Sequence, residues 1–304
     1  ALKCVNYVLG QNVNQVPLDI LFARKNARHL ENQDLLQISC RERPVCRSAT
    51  ANAYKPPTEG THMKEITSFD NSVLKTARKL LSKSGRTKNN MFIAEGARIV
   101  ADAVNSGCAK HIITCGDDPG YDNVYHISQK LYAGITDTVS PQGIMAVCTM
   151  PQRDISEISG NIIVCDGIRD PGNLGTVIRT AECAGFCAVL LINGCVDPYN
   201  PKTVRSTMGS IFRVPVISCT AGDVLSLEGY TKAVTMLDGA VDIFKADFSG
   251  KTALVVGSEA FGVCDEIKKH ADLPVKIPMC GGAESINAAV AAGIAMYAIK
   301  NFSE

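Results

Sequence analysis

From Gly160 onward, short runs that are apolar throughout alternate with helical stretches. The strand runs are Ile162–Cys165, Ala188–Ile192, Val214–Ile217, Ala233–Met236, Ala253–Val256 and Val275–Ile277; Thr176–Ala184, Lys202–Gly209 and Ile286–Phe302 read as helices. A strand with apolar side chains on both faces must be covered on both, and helices interleaved between strands supply that cover. The pattern therefore predicts an α/β domain built on a parallel sheet. In such sheets ligands bind beyond the carboxyl ends of the strands, so the loops that follow the strands are where chemistry is expected.

A smaller α/β unit precedes this domain. Asn71–Ser84 reads as one helix, with Val73, Leu74, Ala77, Leu80 and Leu81 as its apolar stripe. Lys75, Lys79 and Lys83 recur at helical spacing on one face, Arg78 lies beside them, and Arg86 and Lys88 continue the basic patch. Such a ridge is either a solvated face or a set of phosphate contacts. Phe92–Gly96 is a strand and turn, Ala97–Ser106 a helix closed by Gly107, and Lys110–Cys115, Val124–Ser128 and Gly143–Thr149 are strands. The expected division is an extension over 1–62, a small RNA-binding domain over 63–150, a linker over 151–159 and the larger domain over 160–304. Residues 1–62 are rich in Pro and basic side chains and end in Gly60-Thr61-His62-Met63. They read either as an unstructured stretch left by a cloning junction, with Met63 as the natural start, or as a basic arm.

Bulk properties narrow the class. A net charge of +1 announces no nucleic-acid partner, so any RNA surface must come from local clusters of Lys and Arg. There are 13 Cys but no C-x-x-C pair, which argues against a zinc site and for small buried hydrophobes; Cys183 and Cys187, four apart, read as helical. Many free thiols with no secretory signal point to a reducing cytoplasm. The apolar stretch Ala288–Ile299 is too short to cross a bilayer.

Three loops carry candidate chemistry. Asp166–Gly175 (DGIRDPGNLG) holds Pro171, Gly172 and Gly175 in a turn, presents Asn173, and leads into a helix bearing Arg179. Gly257–Gly262 reads G-x-E-x-x-G and not the dinucleotide G-x-G-x-x-G. A carboxylate there, Glu259, would repel a pyrophosphate but suits a cationic or hydroxyl-bearing ligand. Ile277–Asn287 (IPMCGGAESIN) has two glycines and places Ser285 and Asn287 at the start of the last helix, where their simplest role is capping.

Taken together, N-x-G-T-x-I-R-T-A, G-x-E-x-x-G and I-P-M with a following S-I-N closely resemble the SpoU (TrmH) family of the SPOUT superfamily of RNA methyltransferases. The preceding segment, with its F-I-A-E-G turn, resembles the substrate-binding domain that accompanies that family. The resemblance implies an S-adenosylmethionine-dependent RNA 2′-O-ribose methyltransferase, with a C-terminal trefoil knot, acting as a homodimer in rRNA processing. It implies that the first motif of one chain faces the second and third motifs of its partner. It places the cofactor against Met236, Leu237, Gly257, Ile277, Met279 and Ile286, and catalysis on Asn173, Arg179, Glu259, Ser285 and Asn287. Ile286 stands where the family usually has Leu.

No metal cluster lies in the motifs, and His29, His62, His111, His126 and His270 all fall outside them. The 2′-hydroxyl is a poor nucleophile, and arginine a very poor base, so Arg179 is read as orienting the hydroxyl and the neighbouring phosphate. The acceptor is RNA because a DNA sugar has no 2′-hydroxyl. Ribosomal RNA of the large subunit is the preferred target, and the Lys75–Lys88 patch its phosphate contact. Three alternatives stand: a transfer RNA target, a non-catalytic RNA-binding protein of the same fold, and a nicotinamide-dependent dehydrogenase, disfavoured by the missing dinucleotide motif. Self-protection against an antibiotic is a special case of the preferred activity.

Overall fold

The fold is that of a computed structural model, which describes residues 63–282 and 285–302. The extension read over residues 1–62 lies outside the described residues. Two sheets organise the rest. The first contains β1 (Lys64–Ile66), β2 (Met91–Glu95), β3 (Ala109–Thr114), β4 (Val124–Ile127) and β5 (Ile144–Thr149), in the order β1-β4-β3-β5-β2. β1, β4 and β3 run parallel, and β5 is antiparallel to both β3 and β2. β1 and a short helix at Gln129–Ala133 are additions to the sequence reading. Both are too short to show a period.

The predicted helix over Asn71–Ser84 is two helices, α1 (Ser72–Leu80) and α2 (Lys83–Asn89). Asn71 caps the first, its side chain accepting from Val73 N at 2.8 Å. Ser82 caps the second, accepting from Gly85 N at 3.1 Å. A Cβ on Gly85 would lie 1.9 Å from Lys79 O, so α2 starts hard against the end of α1. Lys75 and Lys79 therefore lie on α1 and Lys83 opens α2, so the three do not share one helix. Arg86 leaves the patch altogether. Its side chain is buried, donating to Leu80 O and Leu81 O at 2.8 and 3.0 Å and pairing with Asp197 at 2.7 Å. It satisfies carbonyls that the end of α1 leaves open. Lys75, Arg78, Lys79, Lys83 and Lys88 remain exposed, Lys75 within 3.1 Å of Asp70.

The second sheet is parallel throughout. Its strands are β6 (Ile162–Asp166), β7 (Ala188–Ile192), β8 (Val216–Ser218), β9 (Tyr230–Thr235), β10 (Val241–Asp242), β11 (Lys251–Gly257) and β12 (Leu273–Lys276), in the order β10-β12-β9-β11-β6-β7-β8. Alternate residues feed two cores. Ile163 and Cys165 face the helices α3 (Pro171–Ala184) and α4 (Ala288–Phe302), whereas Ile162 and Val164 face Ala221, Val224, Val263 and Ile267. This two-sided cover is what the uninterrupted apolar runs demand.

α3 begins earlier than predicted, at Pro171, so Asn173 and Gly175 are helical and not in a turn. Asp170 Oδ1 accepts from Asn173 N at 2.8 Å, and Pro171 occupies the first turn, where its missing N–H is not needed. Gly175 permits close packing, since a Cβ there would approach Ser206 Cβ to 2.4 Å. Cys183 ends this helix but Cys187 lies beyond it. The two sheets share an apolar seam in which Phe92 meets Tyr199 and Phe212, with ring centroids 4.8 and 5.8 Å apart. Arg205 reaches back to Asp137 at 2.6 Å and to the buried Glu95 at 3.6 Å.

Candidate active site

The three loops converge at the carboxyl ends of β9, β11 and β12. The second and third loops, with the segment after β9, line a cavity of about 460 Å³, within the range of small-molecule sites, and the first loop lies beside them. Each loop has a local physical cause. After β11 the chain doubles back so tightly that a Cβ on Gly257 would fall 2.0 Å from Gly262 C. Gly262 N donates to Ser258 O at 2.9 Å and closes the turn. At the third loop, Asn287 caps α4, its Oδ1 accepting from Ala289 N and Val290 N at 2.9 and 3.2 Å.

Asn173 joins the loops. Its Nδ2 donates to Glu259 Oε1 at 2.5 Å, and its Oδ1 accepts from Asn287 Nδ2 at 3.0 Å. Asn287 thus both caps α4 and holds Asn173. These bonds join Asn173 to the second and third motifs of its own chain. Glu259 and Ser285 line the cavity.

Arg179 stands apart. It is exposed on α3, lies outside the cavity lining, and among the described residues has no hydrogen-bond or ion-pair partner.

Met236, Leu237, Gly257, Ile277, Met279 and Ile286 all line the cavity. Sequence reasoning missed Asp238 and Lys268, which line it as well. It also missed a second cavity across the 258–262 turn, about 290 Å³ in volume, bounded by Asp166, Arg169, Asn193, Phe261 and Glu266. A large aromatic residue inside a glycine turn, Phe261, was the available signal. Asp166 is buried, and its oxygens accept from Asn193 Nδ2 at 2.8 Å and from Cys264 N at 2.7 Å.

Cys195 and Cys264, beside the loops, do not supply a thiolate. Burial pushes Cys195 up, and burial with the nearby Asp166 carboxylate pushes Cys264 up, so both stay protonated at neutral pH. Among the described residues there is no group of His, Cys, Asp or Glu able to hold a metal ion.

The profile of the SpoU rRNA methylase family matches residues 160–297. That of the MRM3-like substrate-binding domain matches residues 71–146. The 23S rRNA (guanosine(2553)-2′-O)-methyltransferase RlmP of Bacillus subtilis is 37 % identical over 248 residues, covering 78 % of this chain and 100 % of that protein. The chain belongs to the SpoU rRNA methylase family. It is a methyltransferase of the SPOUT fold. The 23S rRNA (uridine(2479)-2′-O)-methyltransferase of Streptomyces viridochromogenes is 33 % identical over 52 % of this chain and 60 % of its own length. Among solved structures, the AdoMet-bound rRNA methyltransferase from Sinorhizobium meliloti superposes with a TM-score of 0.72 at 30 % identity, covering 79 % of this chain and 98 % of that one.

Proposed function

We propose that this SpoU-family chain transfers a methyl group from S-adenosylmethionine to a ribose 2′-hydroxyl of large-subunit ribosomal RNA. The observation that carries the reading is the Asn173 carboxamide bridge, which ties the first loop to the second and third, the two loops that wall the cavity. The cavity suits that cofactor. Met236, Leu237, Ile277, Met279 and Ile286 offer apolar contact to an adenine and a thioether chain, and Glu259 and Asp238 bring negative charge for a sulfonium and an ammonium. When bound, the cofactor supplies an electrophilic methyl group.

The chain's own work is positioning. Asn173 and Asn287 fix the loops, Ser285 offers a hydroxyl at the cavity wall, and Glu259 holds the 258–262 turn through Asn173. Arg179, exposed and unpartnered, orients the acceptor hydroxyl and its adjacent phosphate. It is a donor and not a base, and the displaced proton passes to solvent. Lys75, Arg78, Lys79, Lys83 and Lys88 hold RNA phosphates; Arg86, buried against Asp197, does not. The relatives' names favour ribosomal over transfer RNA as substrate.

The reading includes a small RNA-binding domain over 63–150, a linker over 151–159 and a methyltransferase domain from 160, with α4 threaded as part of a trefoil knot. It also includes a homodimer and a cytoplasmic location. Exposed Val290 and Tyr297 on α4 support an apolar subunit contact. Among the described residues no helix is long and apolar enough to cross a membrane.

The test is methyl transfer from labelled S-adenosylmethionine to unmodified ribosomal and transfer RNA, followed by nucleoside analysis. The expected result is label in a 2′-O-methyl nucleoside of large-subunit rRNA. Label on a base, or only in transfer RNA, overturns the acceptor.

A further inference from the structure

The 258–262 turn separates two cavities, not one. Ser258, Phe261 and Gly262 border both. Phe261 N donates to Ser258 Oγ at 3.3 Å, which fixes the turn, yet the Phe261 ring is 77 % exposed. An exposed aromatic face beside a cavity is free to stack on a planar ligand. It stands at the lip where the cofactor cavity ends and the second cavity begins.

An acceptor nucleotide must bring its 2′-hydroxyl to the open side of the cofactor cavity. Its base then has to lie beside that cavity and not in it. The second cavity is in that position, and its volume of about 290 Å³ suits one planar ring system. Its polar groups divide into structure and recognition. Both oxygens of the buried Asp166 already accept from the chain, from Asn193 and Cys264, and the residue builds the floor. Arg169 and Glu266 are exposed, and among the described residues neither side chain has a hydrogen-bond or ion-pair partner.

We propose that the cavity bounded by Arg169, Glu266 and Phe261 receives the base of the methylated nucleotide and selects guanine. A carboxylate accepts from two adjacent donors, and guanine alone among the four RNA bases presents a ring N–H beside an exocyclic amine. A guanidinium donates to the guanine O6 and N7 acceptors. Phe261 stacks on the ring, the usual way that unpaired RNA bases are held. The inference rests on the 2′-O-methylation reading above and adds to it the residues that choose the base.

The test uses the full chain with methyl-labelled S-adenosylmethionine and an unmodified large-subunit rRNA transcript. Wild type is compared with Arg169→Ala, Glu266→Gln, Phe261→Ala and Phe261→Tyr, and cofactor affinity is measured separately by calorimetry. We expect wild type to form 2′-O-methylguanosine. Arg169→Ala and Glu266→Gln should lower kcat/KM for RNA by roughly tenfold or more while cofactor affinity holds. Phe261→Tyr should retain transfer and Phe261→Ala should lose most of it, because only the first keeps a ring. Label in a different 2′-O-methyl nucleoside overturns the guanine assignment. Wild-type kcat/KM in both Arg169→Ala and Glu266→Gln, or losses that track cofactor affinity, overturn the cavity as a base site. No labelled ribose with wild type overturns the activity on which the inference stands.

Discussion

The Asn173 side chain spends both ends of its carboxamide inside the chain, donating to Glu259 at 2.5 Å and accepting from Asn287 at 3.0 Å. Its orientation is therefore fixed: the nitrogen must face the carboxylate. Glu259→Gln can still accept that bond through its amide oxygen, so it keeps the geometry and loses only the charge. Glu259→Ala loses both. Calorimetry should show cofactor affinity falling further in Glu259→Ala than in Glu259→Gln, by up to roughly tenfold, the worth of one neutral hydrogen bond. Asn173→Asp should be worse than Asn173→Ala, because it sets two carboxylates face to face. Equal affinities across the set would sever the link between this bridge and the cavity.

Arg179 gives the complementary outcome. Because it lies outside the cavity lining, Arg179→Ala should leave cofactor binding unchanged. Turnover should drop by about a hundredfold or more, as when a charged donor to the reacting centre is removed. Wild-type-like single-turnover rates in this variant would remove Arg179 from the mechanism.

The seam between the two sheets predicts a stability effect remote from the chemistry. Arg86 is buried, and Asp197 takes its charge at 2.7 Å. Asp197→Ala leaves a guanidinium buried and unpaired, which costs about 3 kcal/mol. Urea unfolding should show that loss with no change in the chemical step. A midpoint equal to wild type would mean that water replaces the carboxylate freely.

Charge reversal at Lys75, Lys79 and Lys83 should weaken RNA binding and flatten its salt dependence. The slope of log K against log salt should fall by roughly 0.7 to 0.9 for each phosphate that is no longer neutralised. Filter binding across a salt series measures it directly. An unchanged slope would make these lysines a solvated surface.

His111 makes stability depend on pH. Burial holds its pKa below the ordinary 6.5, and Lys110 and Lys64 push it the same way. Its Nδ1 is buried with no hydrogen-bond partner. The folded chain thus disfavours the charged ring more than the unfolded chain does. The stability this contributes is present above about pH 6.5 and is lost as pH falls through the lowered folded value. Thermal midpoints should drop between pH 7.5 and 5.5, and His111→Gln should reduce that drop. Parallel curves for the two proteins would show that other groups dominate.

Much of the fold was legible because its signals are periodic. The runs Ala188–Ile192 and Ile162–Cys165 could only be doubly covered strands, and they are. What escaped was set by single contacts. The break between α1 and α2 depends on Ser82 turning its hydroxyl to Gly85 N, and nothing in the lysine spacing reports it. Arg86 looked like one more cation in a basic run, because the residue that buries it lies 111 positions away. The early start of α3 was more readable, since Asp170 followed by Pro171 is a helix-start signal that the glycines obscured.

The residues of the larger cavity followed from the second and third motifs, each with its own glycines and its own strand. The second cavity did not, because Asp166, Asn193 and Cys264 belong to separate segments and carry no shared pattern. Only the hydrogen bonds to Asp166 bring them together.

The placement of Asn287 also has a consequence for biosynthesis. The bridge needs Asn173, then Glu259, and last Asn287, which opens the helix α4. A nascent polypeptide therefore completes the segment matched by the substrate-binding profile first and the Asn173 bridge only once translation has passed Asn287. Prematurely terminated products would keep the first sheet and lack the bond that joins the third loop to the other two.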